Sequence, residues 1–230
     1  MKQLPLGLRP GPQQSFGNFA VGANDAALGA LRGTTAGAAP IYLWGSAGAG
    51  KTHLLRALAR EAAAQGRSAG AFDQSTPLPW VCDEDTRLIL LDDCEAFDAA
   101  QQHAAFALFV EAQALGASVV AAGRLPPVDL PVREDLRTRL GWGLVFHLQP
   151  LDETRARDAL KREAGRRGIV LTEEVVAYLL TRFARDLGSL MRLLDALDEF
   201  ALVHQRAVTV PLVRQMLAER DEQQRQGANA

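Results

Sequence analysis

Gly45-Ser46-Ala47-Gly48-Ala49-Gly50-Lys51-Thr52 satisfies every position of the phosphate-binding pattern G-x-x-x-x-G-K-[ST], and its surroundings decide the fold. The chemistry needs these residue types. Glycines let successive backbone N–H groups curl round phosphate oxygens, Lys51 reaches the outer phosphates, and the Thr52 hydroxyl is a ligand for Mg²⁺. Before the loop stands the apolar run Ile41-Tyr42-Leu43-Trp44, read as a strand. After it, Leu54, Leu55, Leu58, Ala59 and Ala62 recur at helical spacing on one face, so a helix from Thr52 to Ala64 turns its positive N-terminal end toward the same phosphates. A Gly-rich turn without a ligand would not need this context. Strand, loop and helix together predict a bound nucleotide, held by Gly45, Ser46, Ala47, Gly48, Ala49, Gly50, Lys51 and Thr52 with His53 beside them.

Outward from the loop, apolar runs alternate with helical patterns: Ala69–Phe72, Leu88–Leu91, a helix over Gln101–Leu115 stopped by Gly116, then Ser118–Ala122. That alternation predicts an α/β fold, a parallel sheet with helices on both faces. Leu88-Ile89-Leu90-Leu91-Asp92-Asp93 ends a buried-strand run on two carboxylates, where a sheet NTPase holds its Mg²⁺ and its attacking water. Asp92 is read as the metal-side acid, with Thr52, and Asp93 as the water-orienting one. From Asp152 onward the pattern is almost wholly helical. Asp152, Thr172 and Thr209 stand as caps of successive helices, and Pro211 fits a first turn. The chain is therefore divided into a flexible segment 1–14, a nucleotide-binding domain 15–150, a small helical lid domain 151–220, and a disordered polar tail 221–230 without apolar periodicity.

Composition narrows the function classes. With 230 residues and 48% hydrophobic content the chain supports a sizeable core, and its net charge of −2 supplies no field for a polyanion. Cys82 and Cys94 lack metal-ligand spacing and read as free thiols; the four histidines are equally scattered. No signal-peptide core and no bilayer-spanning stretch is present, which makes the cytoplasm the expected compartment. Trp44, Trp80 and Trp142 read as core or interface packing, because basic residues do not interleave them. Leu190, Met191, Leu193, Leu194 and Leu197 read as the inner face of the lid. The series Arg155, Arg157, Lys161, Arg162, Arg166 and Arg167 reads first as a solvated face and second as a contact to DNA or a partner.

With both nucleotide signals and the helical C-terminal part in view, the chain resembles the AAA+ ATPases, and more closely the DnaA-like family of the replication initiator DnaA and its shortened relative Hda. Ser15-Phe16-Gly17-Asn18-Phe19-Ala20-Val21-Gly22-Ala23-Asn24 resembles the family's opening segment, which implies that Phe19, Val21 and Gly22 line the adenine pocket. Leu136-Arg137-Thr138-Arg139-Leu140-Gly141-Trp142-Gly143 resembles the stretch that ends in the arginine finger, which implies that Arg139 acts in trans on a partner's nucleotide. A surface ion pair with Glu134, Asp135 or another acid is the other reading of Arg139. Arg185-Asp186-Leu187-Gly188-Ser189-Leu190-Met191-Arg192-Leu193-Leu194-Asp195-Ala196-Leu197 and Val208-Thr209-Val210-Pro211 resemble the family's lid. The pattern dissolves by Asp221, so no DNA-reading domain is expected after it. Gln3-Leu4-Pro5-Leu6-Gly7-Leu8 resembles the peptide by which replication proteins dock on the sliding clamp, the β subunit of DNA polymerase III, with Gln3, Leu4, Leu6 and Leu8 as anchors.

Two departures from the family pattern bear on chemistry. Where relatives place a γ-phosphate sensor after the strand Ser118–Ala122, this chain has Gly123 and Arg124; in the lid, Gly188 stands at the sensing-arginine position, with Arg185 and Arg192 nearby. Loss of such donors is expected to weaken discrimination of ATP from ADP and to slow intrinsic hydrolysis. The resemblance thus implies a weak ATPase with ADP (or ATP) and Mg²⁺ as ligands. It also implies DnaA and the clamp as partners, DNA reached mainly through them, no membrane, and self-association through the AAA+ faces left open. The role implied is negative regulation of chromosomal replication initiation by stimulating hydrolysis of DnaA-bound ATP. The alternatives are an AAA+ helicase loader or remodeller acting on single-stranded DNA, and a small-molecule kinase built on the same loop.

Overall fold

The computed structural model describes residues 14–182, 187–204 and 206–227, with side chains described up to 219 apart from that of Leu187. The stretch Gln3–Leu8 and Arg185 lie outside the described residues. Five parallel strands form one sheet: β1 (Ile41–Trp44), β2 (Ser68–Phe72), β3 (Thr86–Leu91), β4 (Ser118–Gly123) and β5 (Leu144–His147), in the order β2-β3-β4-β1-β5. The chain crosses from β1 to the far edge, steps back strand by strand to β4, and then passes to the other side of β1. The order reverses beside β1, and in open α/β sheets ligands bind outside the carboxyl ends of the strands at that point. The phosphate loop sits there because it follows β1 directly.

Side-chain alternation explains the layers. Ile41 and Leu43 of β1, Leu88 and Leu90 of β3, and Val120 and Ala122 of β4 point to one face, where they pack on α1 (Asp25–Arg32) and α2 (Lys51–Ala64). Tyr42, Ile89, Leu91, Val119 and Ala121 point to the other face, toward α3 (Ala99–Leu115) and α4 (Glu134–Gly141). The inner strands β3 and β4 are apolar almost throughout because both of their faces are covered. A third core, of Leu160, Val175, Leu179, Leu190, Leu194, Leu197 and Val213 among others, belongs to α5 (Glu153–Arg166), α6 (Glu173–Arg182), α7 (Leu187–His204) and α8 (Val210–Gly227). Leu193 belongs to it too, while Met191 is only partly buried.

The local signals act as the sequence suggests. The Asp98 carboxylate accepts from the Gln101 N–H while the Gln101 side chain accepts from the Asp98 N–H, which starts α3 two residues before the expected boundary. Asp152 caps α5 through the Arg155 N–H at 2.8 Å, and Thr172 and Thr209 accept from Val175 and Leu212. Two helices were not anticipated, α1 and α4, each only eight residues long. The C-terminal end also differs. The stretch after 220 was expected to lack regular structure, yet α8 continues to Gly227. Glu219 to Gln226 are polar but are straight-chain helix formers apart from Asp221, no Gly or Pro interrupts them before Gly227, and the turns around the buried Leu212, Val213 and Met216 supply the nucleus.

Candidate nucleotide-binding site

The loop after β1 takes its shape from glycines at positive φ: Gly45 at 154°, Gly48 at 78° and Gly50 at 98°. A Cβ on Gly45 would collide with the Leu148 carbonyl, and one on Gly50 would lie 2.6 Å from Phe19 Cε2, so the loop is clamped between the exit of β5 and the N-terminal segment. Lys51, only 6% exposed, donates from Nζ to the carbonyls of Gly45 at 2.7 Å and Ser46 at 3.0 Å. Burial draws its pKa down, opposed by the nearby carboxylates of Asp93, Glu95 and Asp92.

At the end of β3 the Asp92 carboxyl accepts from the Thr52 hydroxyl and from the Asp93 N–H at 3.0 Å, and burial pushes its pKa up against those bonds. Thr52 and Asp92 therefore present adjacent hard oxygens beside the loop, which fits Mg²⁺. Among the described residues no group of three or more His, Cys, Asp or Glu could hold a metal ion, so a cation here would take its other ligands from phosphate and water. Bound in this place it would offset the negative charge of the outer phosphates. Asp93 lines the cavity with φ at 51°, a left-handed conformation that a non-glycine residue keeps only where its surroundings hold it; the bond from the Ala96 N–H to its carbonyl at 2.8 Å is one such hold. A neutral side chain at Asp92 removes a buried charge whose folded-state pKa lies above its unfolded value, a group that costs stability once pH exceeds the unfolded pKa. Asp92→Asn is accordingly expected to raise the Tm of the ligand-free protein at neutral pH while weakening the Mg²⁺-dependent part of nucleotide affinity. Thermal melts with and without Mg²⁺ and nucleotide check both signs.

The N-terminal segment is pinned across the start of α2. His53 Nε2 meets the Ser15 carbonyl at 3.0 Å, the Phe19 and His53 rings lie 5.5 Å apart, and Arg60 donates to the Gln14 carbonyl at 2.6 Å. Burial holds the His53 pKa low. A second tie was not read from the sequence: the Asn24 amide donates to the Gln149 carbonyl at 3.0 Å and accepts from the Gln149 N–H at 2.8 Å, with Asn24 only 4% exposed. The partners are 125 residues apart, and the Asn24 side chain, spent on Gln149, makes no capping bond to α1.

Loop, N-terminal segment and lid enclose a cavity of about 960 Å³. Phe19 and Ala47 through His53 line it; Gly45 and Ser46 do not, serving instead as acceptors for Lys51. Val21 and Gly22 line an adjoining cavity of about 600 Å³ beneath Leu151 and Arg155. From the lid come Arg162, Arg166, Gly188, Met191 and Arg192, the last also donating to Ser189 Oγ at 2.8 Å. The lid's basic series keeps much of the solvated character expected of it, with Arg155, Arg162 and Arg166 exposed, but part of it also borders the cavity or is tied up in ion pairs. Arg162 and Arg166 border the cavity, and Arg167 is 11% exposed, bonded to Glu163 at 2.9 Å and Asp195 at 2.5 Å. Arg157 and Lys161 pair with Glu173 of α6. Glu153, Arg155, Asp158, Arg162 and Arg166 stay exposed on that helix, so its outer side meets water while one edge turns to the cavity.

At the end of β4 stand Gly123 and Arg124. Arg124 lines the cavity and bonds Glu95 twice, from Nε at 3.2 Å and from its N–H at 3.1 Å. Arg139, on α4, is absent from the cavity wall. Its guanidinium lies 5.3 Å from the ring centre of Trp142 and 5.9 Å from that of Phe106, and Trp142 is 67% exposed. Among the described residues Arg139 forms no ion pair with Glu134 or Asp135; Arg133 takes Asp135 at 2.7 Å. Trp80 is buried in the core and Trp44 stacks on His147.

Both parts of the chain are similar to known proteins. Residues 152–217 match the family model of the Hda lid domain, and residues 11–70 match that of the bacterial DnaA ATPase domain. Among solved structures, domain III of the Thermotoga maritima replication initiation protein DnaA superposes with a TM-score of 0.75 at 21% identity, over 90% of this chain and 97% of that one. AMPPCP-bound DnaA from Aquifex aeolicus gives 0.70 at 22% identity, over 91% and 70%. The Thermotoga maritima RuvB branch migration motor gives 0.56 at 14% identity, over 77% and 60%. Identities this low establish the shared fold. No helix among the described residues is long and apolar enough to cross a membrane.

Proposed function

Because this chain is a Hda/DnaA-like AAA+ protein, we propose that it is a negative regulator of chromosomal replication initiation which, holding ADP and tethered to a DNA-loaded sliding clamp, stimulates hydrolysis of DnaA-bound ATP. The observation that carries this reading is the position of Arg139. It stands outside its own cavity beside an exposed tryptophan, as a group that completes a neighbour's site would. On a partner's ATP a guanidinium so placed offsets the charge that develops on the transferred phosphoryl group. The chain's own cavity and the one adjoining it supply the rest: Lys51 and the loop for the phosphates, Thr52 and Asp92 for Mg²⁺, Phe19 with Val21 and Gly22 for the base. In this role Asp93 orients water only in whatever slow hydrolysis the chain performs itself. The segment Gln3–Leu8 supplies the clamp contact, and the protein works in the cytoplasm at the replisome.

The test is hydrolysis of DnaA-bound ATP in the presence of this protein and ADP, with and without clamp-loaded DNA. Acceleration that requires the clamp is the expected result. The arginines 124, 162, 166 and 192 in the cavity wall favour one other reading, a helicase loader or remodeller that turns over ATP itself on single-stranded DNA. Rapid turnover by this chain alone, with no effect on DnaA, would select that reading.

A further inference from the structure

The carboxylates Asp92, Asp93 and Glu95 and the cations Lys51 and Arg124 gather where β1, β3 and β4 end, close enough that all four of the others act on the Lys51 charge. Three negative charges stand against two positive ones there, and a nucleoside triphosphate brings about one more negative charge than a diphosphate. Lys51 is already turned onto the carbonyls of its own loop. Arg124 is the other cation at these strand ends and lines the same cavity, yet it is engaged. Glu95, whose side chain is 16% exposed, accepts from both Nε and the backbone N–H of Arg124. Gly123 makes this approach feasible: a Cβ on it would lie 2.9 Å from Glu95 Oε2 and would collide with the Tyr42 hydroxyl, which itself bonds the Leu125 carbonyl at 2.9 Å.

We infer that Glu95 and Arg124 set the phosphate preference of this cavity, Glu95 holding Arg124 by two bonds and so biasing the site toward a nucleoside diphosphate over the triphosphate. The inference rests on the nucleotide-binding reading of the cavity and adds to it which side chains choose between ligands. Neutralising Glu95 removes one carboxylate from the phosphate end and releases the guanidinium. Glu95→Gln keeps an oxygen to accept from the Arg124 N–H, which preserves the turn.

The experiment displaces a fluorescent ADP analogue with unlabelled ADP or AMPPCP, with Mg²⁺ present, from the unmodified protein, E95Q, R124A and the double variant. The unmodified protein is expected to favour ADP. E95Q is expected to move the ADP:AMPPCP affinity ratio toward AMPPCP by about tenfold, chiefly through a charge-assisted contact from the released guanidinium to the additional phosphate, and the move becomes smaller when Arg124 is also absent. R124A alone leaves Glu95 unneutralised and weakens AMPPCP more than ADP. An unchanged ratio in E95Q, a shift of undiminished size without Arg124, or equal weakening of both ligands by R124A overturns the inference. Failure of the unmodified protein to bind either nucleotide overturns the nucleotide reading and this inference with it.

Discussion

Arg139→Ala is expected to lower the stimulated hydrolysis of DnaA-bound ATP by about 10³-fold, the scale of an arginine supplied in trans, while leaving this chain's own affinity for ADP unchanged. The separation follows from position. The guanidinium rests against Trp142 and Phe106, and no wall of the cavity uses it. Arg139→Lys keeps the charge but loses the planar fork, so it should restore little of the rate. Single-turnover hydrolysis on preloaded DnaA, together with ADP binding by the variant, checks both halves. Stimulation that survives the alanine would remove Arg139 from the mechanism.

The second large effect is expected at Lys51. Lys51→Met keeps most of the aliphatic stem and its packing but removes the ammonium from the phosphate end, where a hydrogen bond to a charged group contributes about 3 kcal/mol, so ADP affinity should fall about 100-fold. The loop itself should loosen, because the Gly45 and Ser46 carbonyls lose their shared donor. If ADP is what holds the active arrangement, stimulation of DnaA falls with it; full stimulation by a variant that no longer binds ADP would show the nucleotide to be dispensable. Titration with labelled ADP and a melt in the same buffer separate lost affinity from lost fold.

Legibility followed the range of the interactions. The phosphate loop, the Asp92–Asp93 pair and the caps at Asp152, Thr172 and Thr209 are local in sequence, and each reads directly because its chemistry is confined to four or five neighbouring residues. The inner strands read well because burial on both faces makes them continuously apolar. The short helices α1 and α4 were missed, since eight residues carry too few turns for a clear period. Contacts between distant segments were illegible in principle: nothing near Asn24 announces Gln149, and nothing near Arg124 announces Glu95 on the preceding connection. The orientation of Arg162 and Arg166 fell between these cases. Helical spacing places them opposite the lid core, but whether that side meets water or a cavity depends on how the lid closes over the sheet.

The core of the lid shares no residue with the two cores that flank the sheet, whereas the wall of the large cavity draws on both parts. Whatever fills that cavity thus serves as mortar between two separately cemented blocks. Its concentration sets not only occupancy but the degree to which the molecule melts as one body, because a ligand bound to the joined form alone adds stability that grows, once it is well above its Kd, with the logarithm of its free concentration. The chain's rigidity is in that sense a property of its solution, adjustable without altering a single residue.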